Sequence, residues 1–177
     1  MAIFVLIDAG EADELRGLLT REPGQAALHD AQGLTVLMRA AYRGGNVLAA
    51  VREANPPLEP FDRIMVGESD GLPAPDARTP DGFTPLHMAA FAHNTEAARK
   101  LLEAGADPNV VATASFARVT PLVTCAFSGA NEIARLLLEH GADTELTGAG
   151  DATPLKSATA NGNDELRGLL VQHGAKP

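Results

Sequence analysis

A threonine-led segment recurs along this chain at nearly fixed spacing, and that recurrence limits the fold more than any other feature of the sequence. Thr84 opens TPLHMAAFAHNTEAARKLLEAGADPN, Thr120 opens TPLVTCAFSGANEIARLLLEHGADTE, and Thr153 opens TPLKSATANGNDELRGLLVQHGAKP. The step from Thr120 to Thr153 is 33 residues and that from Thr84 to Thr120 is 36. Thr35 begins a fourth copy, TVLMRAAYRGGNVLAAVREANP, and a fifth starts at Met1, where the turn is missing and IFVLIDAGEADELRGLL remains. A unit this short cannot bury both of its faces, so the units must stack, each on its neighbours.

The spelling of a unit predicts two helices. Threonine is a good helix cap, and the proline after Thr84, Thr120 and Thr153 suits the first helical position, where its missing N–H would be unpaired anyway. Two residues on from the threonine position, an apolar column reads Ile3, Leu37, Leu86, Leu122, Leu155, and a small column beside it reads Ala40, Ala89, Cys125, Ala158. Glycines at 10, 44, 129 and 162 stop the first helix. Leucines and isoleucine at helical spacing (Leu101, Leu102, Ile133, Leu136, Leu137, Leu166, Leu169, Leu170) give the second helix one apolar stripe.

These motifs resemble the ankyrin repeat, in which TPLHxAA begins a short helix, a glycine ends it, and a second helix closes with GADxN. GAD stands here at 105–107 and 141–143. The resemblance covers nearly the whole chain and implies an all-α solenoid of about five helix-turn-helix units. We read one domain over 1–177, with units at about 1–29, 30–56, 80–115, 116–148 and 149–177 and an insertion at about 57–79. The sequence departs from the pattern where His93 replaces the glycine stop, where NPPLEP replaces GAD, and at the insertion itself. The heptapeptide DELRGLL occurs at 13–19 and again at 164–170, in the second helices of the two end units. Each end unit has one neighbour, so one leucine stripe and an otherwise charged surface is a cap spelling; chance convergence of two copies of one template is the alternative. Gly17 and Gly168 each cost about 1 kcal/mol there relative to alanine.

Bulk chemistry narrows the function classes. A net charge of −9 argues against binding polyphosphate or anionic lipid and favours a basic partner protein. The single cysteine cannot form an internal disulfide. The opening MAIFVLI lacks a basic leader and breaks at Asp8, and no stretch reaches the length of a membrane span. The expectation is a cytoplasmic protein, monomeric alone, that binds neither nucleic acid nor membrane. Arginine outnumbers lysine and alanine abounds, as in a GC-rich bacterial genome.

Few residues read as chemistry. No GxSxG, HExxH, P-loop or paired-carboxylate signature appears, so no cofactor or enzyme activity is expected. His87, in TPLH, is expected to hydrogen-bond the turn backbone, as the resemblance implies; His140 and His173 precede the glycines after their second helices and serve the last carbonyls. His29 and His93 have no second ligand at metal-like spacing, and Cys125, in an alanine column, reads as a buried inert thiol.

One column does not read as core. Seven residues after the threonine position stand Tyr42, Phe91 and Phe127, with Asp8 before them and Ala160 after. In proteins resembling ankyrin repeats this spot faces the concave surface that contacts partners. A second column just before the threonine, Leu34, Phe83, Val119 and Ala152, falls on the finger-like turn tips. Together they predict an apolar partner-binding strip of Tyr42, Phe83, Phe91, Phe127, Leu34 and Val119, flanked by Arg43, Ser128 and Asn161. The insertion at 57–78 favours an extended excursion from the finger end, although its Phe61, Ile64, Met65 and Val66 are also suited to folding back over part of the strip. The expected function is a protein–protein interaction module, as inhibitor, immunity-type protein or adaptor, with binding as the whole activity. The alternative is a small-molecule sensor or enzyme with a site under the insertion, built from Asp62, Arg63, Glu68 or His93.

Overall fold

The threonines start helices as the sequence requires. In the computed structural model, which describes residues 2–148 and 152–176, the hydroxyl oxygens of Thr35, Thr120 and Thr153 accept from the amides of Met38, Val123 and Lys156 at 2.9, 3.2 and 3.2 Å. Each such bond satisfies one of the orphan donors of a helix start. Among the described residues there are eleven α-helices: α1 Ala2–Ala9, α2 Ala12–Arg21, α3 Val36–Arg43, α4 Gly45–Glu53, α5 Pro60–Met65, α6 Pro85–Phe91, α7 Thr95–Glu103, α8 Pro121–Ser128, α9 Asn131–Glu139, α10 Pro154–Ala160 and α11 Asp164–Gln172. One isolated antiparallel bridge joins His29 and Thr35. The expected unit starts at Met1 and Ala149 lie outside the described residues.

The chain divides into two compact units, Met1–Asp62 and Arg63–Pro177. In the first, α1 packs on α2 and α3, while α4 packs on α3 and α2. In the second, α6, α8 and α10 form one row and α7, α9 and α11 another, with each first helix also packed on its own second helix. The small column is what allows this: Ala40, Ala89, Cys125 and Ala158 are fully buried, and without bulk there the neighbouring helix axes come close. Ile3, Leu37, Leu86, Leu122 and Leu155 are buried beside them. First helices end by left-handed geometry. Gly129 has φ +82° as the residue after α8, and His93, standing where the pattern has glycine, takes φ +55°. A non-glycine residue in that region carries strain, which the fold accepts at this one stop.

The insertion corrects one expectation. Instead of an extended excursion from the finger end, residues 60–65 form α5, with Ile64 and Met65 buried. Asn94, the cap of α7, donates through Nδ2 to the carbonyls of Ile64 at 3.2 Å and Glu68 at 2.8 Å, and Lys100 Nζ donates to the Ser69 carbonyl at 3.1 Å and pairs with Asp70 at 2.8 Å. This part of the insertion therefore lies along the second helix α7. In the first unit Asp62 is wholly buried; its carboxylate accepts from Thr35 Oγ1 at 2.6 Å and from the Glu59 amide at 3.1 Å. Burial raises its pKa, opposed by those two hydrogen bonds.

The repeated heptapeptide occupies equivalent places. Leu15 and Leu19 of α2 are buried, as are Leu166, Leu169 and Leu170 of α11, with acids in the first turn of each helix. Gly168 is an exposed interior position of α11 where a methyl group would meet nothing within 4 Å. Gly168→Ala should therefore stabilise the protein by about 1 kcal/mol, read as an increased unfolding free energy in a urea titration. A neutral or negative change would mean that the glycine serves something other than the helix.

Candidate partner-binding face

Helical spacing decides which side chains of the first helices reach water. On α8, Leu122, Cys125 and Ala126 point into the core, so Thr124, Phe127 and Ser128, three and four residues apart, share the opposite face. Phe127 is 58% exposed, and Phe91, at the end of the adjacent α6, is 41% exposed. Both belong to the second unit, where α6 and α8 are neighbours. Ala160 at the matching place on α10 is exposed too. In the first unit the column behaves differently: Tyr42 is half-buried, and Asp8 is held by Arg39 at 2.8 Å.

The flanking residues are partly engaged. Ser128 Oγ donates to the Ala90 carbonyl at 2.9 Å, tying α8 to α6. Asn161 is exposed, and its Nδ2 donates to the Ser157 carbonyl at 2.8 Å at the end of α10. Arg43 is exposed with its guanidinium over the turn at Gly10, where a Cβ would come within 2.9 Å of Nη2.

The column before the threonine is where the sequence reading needs correction. Leu34 is only 3% exposed. The Asp30 amide donates to the Leu34 carbonyl at 2.9 Å and Asp30 Oδ1 accepts from the Leu34 amide at 3.0 Å, so the turn closes with the leucine rolled into the core. Leu34 cannot offer an apolar surface to a partner in this conformation. Phe83 and Val119 are half-buried and Ala152 is exposed.

Phe83 and Val119 are drawn inward by His87, which is 1% exposed. The imidazole Nε2 lies 2.9 Å from the Val119 carbonyl, an acceptor only, so Nε2 carries the proton. Nδ1 is then the acceptor, receiving the Thr84 amide at 3.3 Å and the Thr84 hydroxyl at 2.8 Å. Phe83 packs its ring against His87 edge-on, centroids 5.7 Å apart. The histidine thus binds its own helix start to the following finger, the structural role expected of it. Burial, first, and the Arg78 charge depress its pKa to about 4, against the raising effect of the Val119 hydrogen bond. His140 acts on the helix end as expected, with Nδ1 2.8 Å from the Leu136 carbonyl. Cys125 is buried, and desolvation pushes its thiol well above the usual cysteine range.

One exposed aromatic residue was missed by the column reading. Phe116, 73% exposed, stacks at a tilt on Phe83 with centroids 5.8 Å apart. It lies in the stretch that lengthens the Thr84–Thr120 step to 36 residues, and that excess over 33 was the signal available in the sequence.

The residues proposed for a site under the insertion have other engagements. Asp62 holds Thr35 and Glu59 as described, Arg63 pairs with Glu68 at 2.7 Å, and His93 is an exposed turn residue. His29 contacts Glu59 at 2.7 Å in the first unit. Among the described residues no group of three or more His, Cys, Asp or Glu is placed to hold a metal ion, and no helix is long and apolar enough to cross a membrane.

A family model described as ankyrin repeats (three copies) matches the chain twice, over residues 3–112 and 112–177. Such repeats are generally protein–protein interaction modules and typically non-enzymatic scaffolds. With helix pairs repeated in register, threonine caps, a TPLH histidine bridging to the next finger and this match over nearly its whole length, the chain belongs to the ankyrin repeat family.

Proposed function

We propose that this chain binds a partner protein through the face on which Phe91 and Phe127 emerge, with Phe83 and Val119 at the finger end and Ser128 and Asn161 beside it. Tyr42 and Arg43 offer the corresponding surface of the first unit. The observation that carries the reading is the pair of phenylalanine rings that two successive first helices of the second unit leave part-exposed, Phe91 at 41% and Phe127 at 58%. Exposed aromatic rings are what interface hot spots are made of. The net charge of −9 favours a partner that is basic overall, since opposite fields speed encounter. An inhibitor, immunity-type or adaptor role in the cytoplasm, with the chain itself monomeric, fits a module whose activity is binding.

The test is co-purification from the native host with wild-type protein and with Phe91→Ala plus Phe127→Ala. Each ring is expected to contribute about 2 kcal/mol when desolvated, roughly 30-fold in affinity, so the partner should fail to co-elute with the double variant. Its melting temperature should stay within a few degrees of wild type. Retention of the partner, or collapse of the fold, would overturn the assignment.

A further inference from the structure

Of the seven asparagines in the chain, Asn161 alone is followed by glycine. The corresponding places in the other threonine-led units hold Arg43, Ala92 and Ser128, so the pair is no part of the repeated spelling. An asparagine before glycine has a chemistry of its own. Its side-chain carbonyl carbon can close a five-membered ring with the next backbone nitrogen, and glycine has no Cβ to obstruct the closure. Both residues are exposed, and a Cβ built on Gly162 would meet nothing within 4 Å.

The corner that the pair occupies restrains this chemistry. Asn161 ends α10 with φ −92° and ψ 3°, and Gly162 turns the chain at φ +67°. At that ψ the Gly162 nitrogen is rotated away from the Asn161 side chain, whereas ring closure needs the two eclipsed. Hydrogen bonds hold it there. Asn161 Nδ2 donates to the Ser157 carbonyl at 2.8 Å, and the Gly162 amide donates to the Thr159 carbonyl at 3.1 Å. The Asn163 amide donates to the Ala158 carbonyl at 2.9 Å, and Asn163 Oδ1 accepts from the Leu166 amide at 3.1 Å to cap α11. Opening of the α10–α11 corner releases these restraints together. It is the last helix pair of the second unit, where a stack with nearest-neighbour contacts opens most easily.

We infer that Asn161–Gly162 is a self-modification site, converted by water to aspartate and isoaspartate at a rate set by the opening of the α10–α11 pair. In the open state the Gly162 nitrogen attacks Asn161 Cγ: the N–Cγ bond forms, the Cγ–Nδ2 bond breaks, and Nδ2 takes up the amide proton and leaves as ammonia. Water then adds to one of the two carbonyls of the cyclic imide. Opening at Cγ gives aspartate, and opening at the main-chain carbonyl gives isoaspartate, with the chain now running through the side-chain carbons. One water enters and one ammonia leaves, with no oxidant or reductant. Either product loosens the corner. A side-chain carboxylate at 161 cannot donate to the Ser157 carbonyl, and its charge stands at the negative end of the α10 dipole. Isoaspartate adds an atom to the main chain inside the turn that the Asn163–Ala158 bond closes. The inference is independent of whether the Phe91 and Phe127 face binds a partner.

The experiment incubates the full chain in mildly alkaline buffer beside a peptide of residues 157–166. It follows ammonia release, the mass change of amide to acid, and isoaspartate by enzymatic carboxyl methylation, with the site located by tandem mass spectrometry. Asn161 should convert before any other asparagine, about tenfold or more slowly in the folded chain than in the peptide, because only the open fraction reacts. Leu169→Asp should bring the rate close to that of the peptide. Converted protein should lose amide protection in α10 and α11 while α6–α9 keep theirs. Asn161→Ser, which places here the residue found at 128, should release no ammonia from this corner and keep its protection through the incubation. Isoaspartate arising at Asp70–Gly71 or Asp81–Gly82 is told apart by its position and by the absence of ammonia. Conversion first at another asparagine, an intact Asn161 in the folded chain once the peptide is consumed, or equal rates in chain and peptide would overturn the inference. So would converted protein with full protection, or an unchanged rate in a Leu169→Asp chain whose α10 and α11 amides have lost theirs.

Discussion

Leu169→Asp is expected to unfold the α10–α11 pair while α6 through α9 remain folded. Leu169 is 6% exposed on the packed side of α11, which packs against α10 and α9. The substitution removes a buried leucine and places an unpaired carboxylate in its cavity, a combination that costs more than about 4 kcal/mol. In a stack with nearest-neighbour contacts, a cost at one end is avoided by opening that end alone, since detaching the last pair gives up one interface. Hydrogen exchange should therefore show loss of amide protection in residues 153–172 with protection kept in α6–α9. Simultaneous loss across the whole second unit would mean that it unfolds as one block. The matched heptapeptide supplies a control. Leu18 holds the same place in the first copy but is half-buried, so Leu18→Asp should have a smaller effect on the α1–α2 end.

That contrast shows where the sequence is legible. Thr35, Thr84, Thr120 and Thr153 cap helices because a cap is a local matter, decided by a hydroxyl, the first free amides and, in all but Thr35, a following proline. The inward columns from Leu86 to Leu155 and from Ala89 to Ala158 are equally readable, since every unit repeats the same packing problem. Degree of burial at the margins is not local. Leu34 and Phe83 share a column, yet the Asp30 turn rolls one fully into the core while the other, packed against the buried His87, stays half-buried. Phe116 escaped because column counting ignores residues that interrupt the period. In the insertion, Phe61, Ile64 and Met65 stand at i, i+3 and i+4, the mark of an apolar helix face, but the prolines and glycines around them pointed to an open loop. What holds the end of that helix was not written nearby: its Ile64 carbonyl accepts from Asn94 Nδ2, thirty residues downstream.

His87 makes the second unit sensitive to mild acid. In the unfolded chain its imidazole titrates near 6.5, whereas burial holds the folded value near 4. A base with a depressed folded pKa is protonated first in the unfolded state. Its contribution is therefore complete above pH 6.5, is lost progressively as pH falls toward 4, and changes no further below that. The difference of about 2.5 pKa units corresponds to roughly 3 kcal/mol across this window, at about 1.4 kcal/mol per pH unit along its steep part. Geometry gives the reason: an imidazolium is a donor at both nitrogens, so Nδ1 would turn a proton toward the Thr84 amide while Arg78 repels the new charge. Carboxylates titrate in the lower part of the same range, so the informative quantity is a difference. Denaturant midpoints measured from pH 7.5 to 4.5 should fall more steeply for wild type than for His87→Gln, and the two curves should converge toward acid, because glutamine keeps a donor for Val119 and cannot take a proton. Parallel curves would mean that His87 keeps an ordinary pKa in the fold, and with it that the bridge from Thr84 to Val119 is open to water.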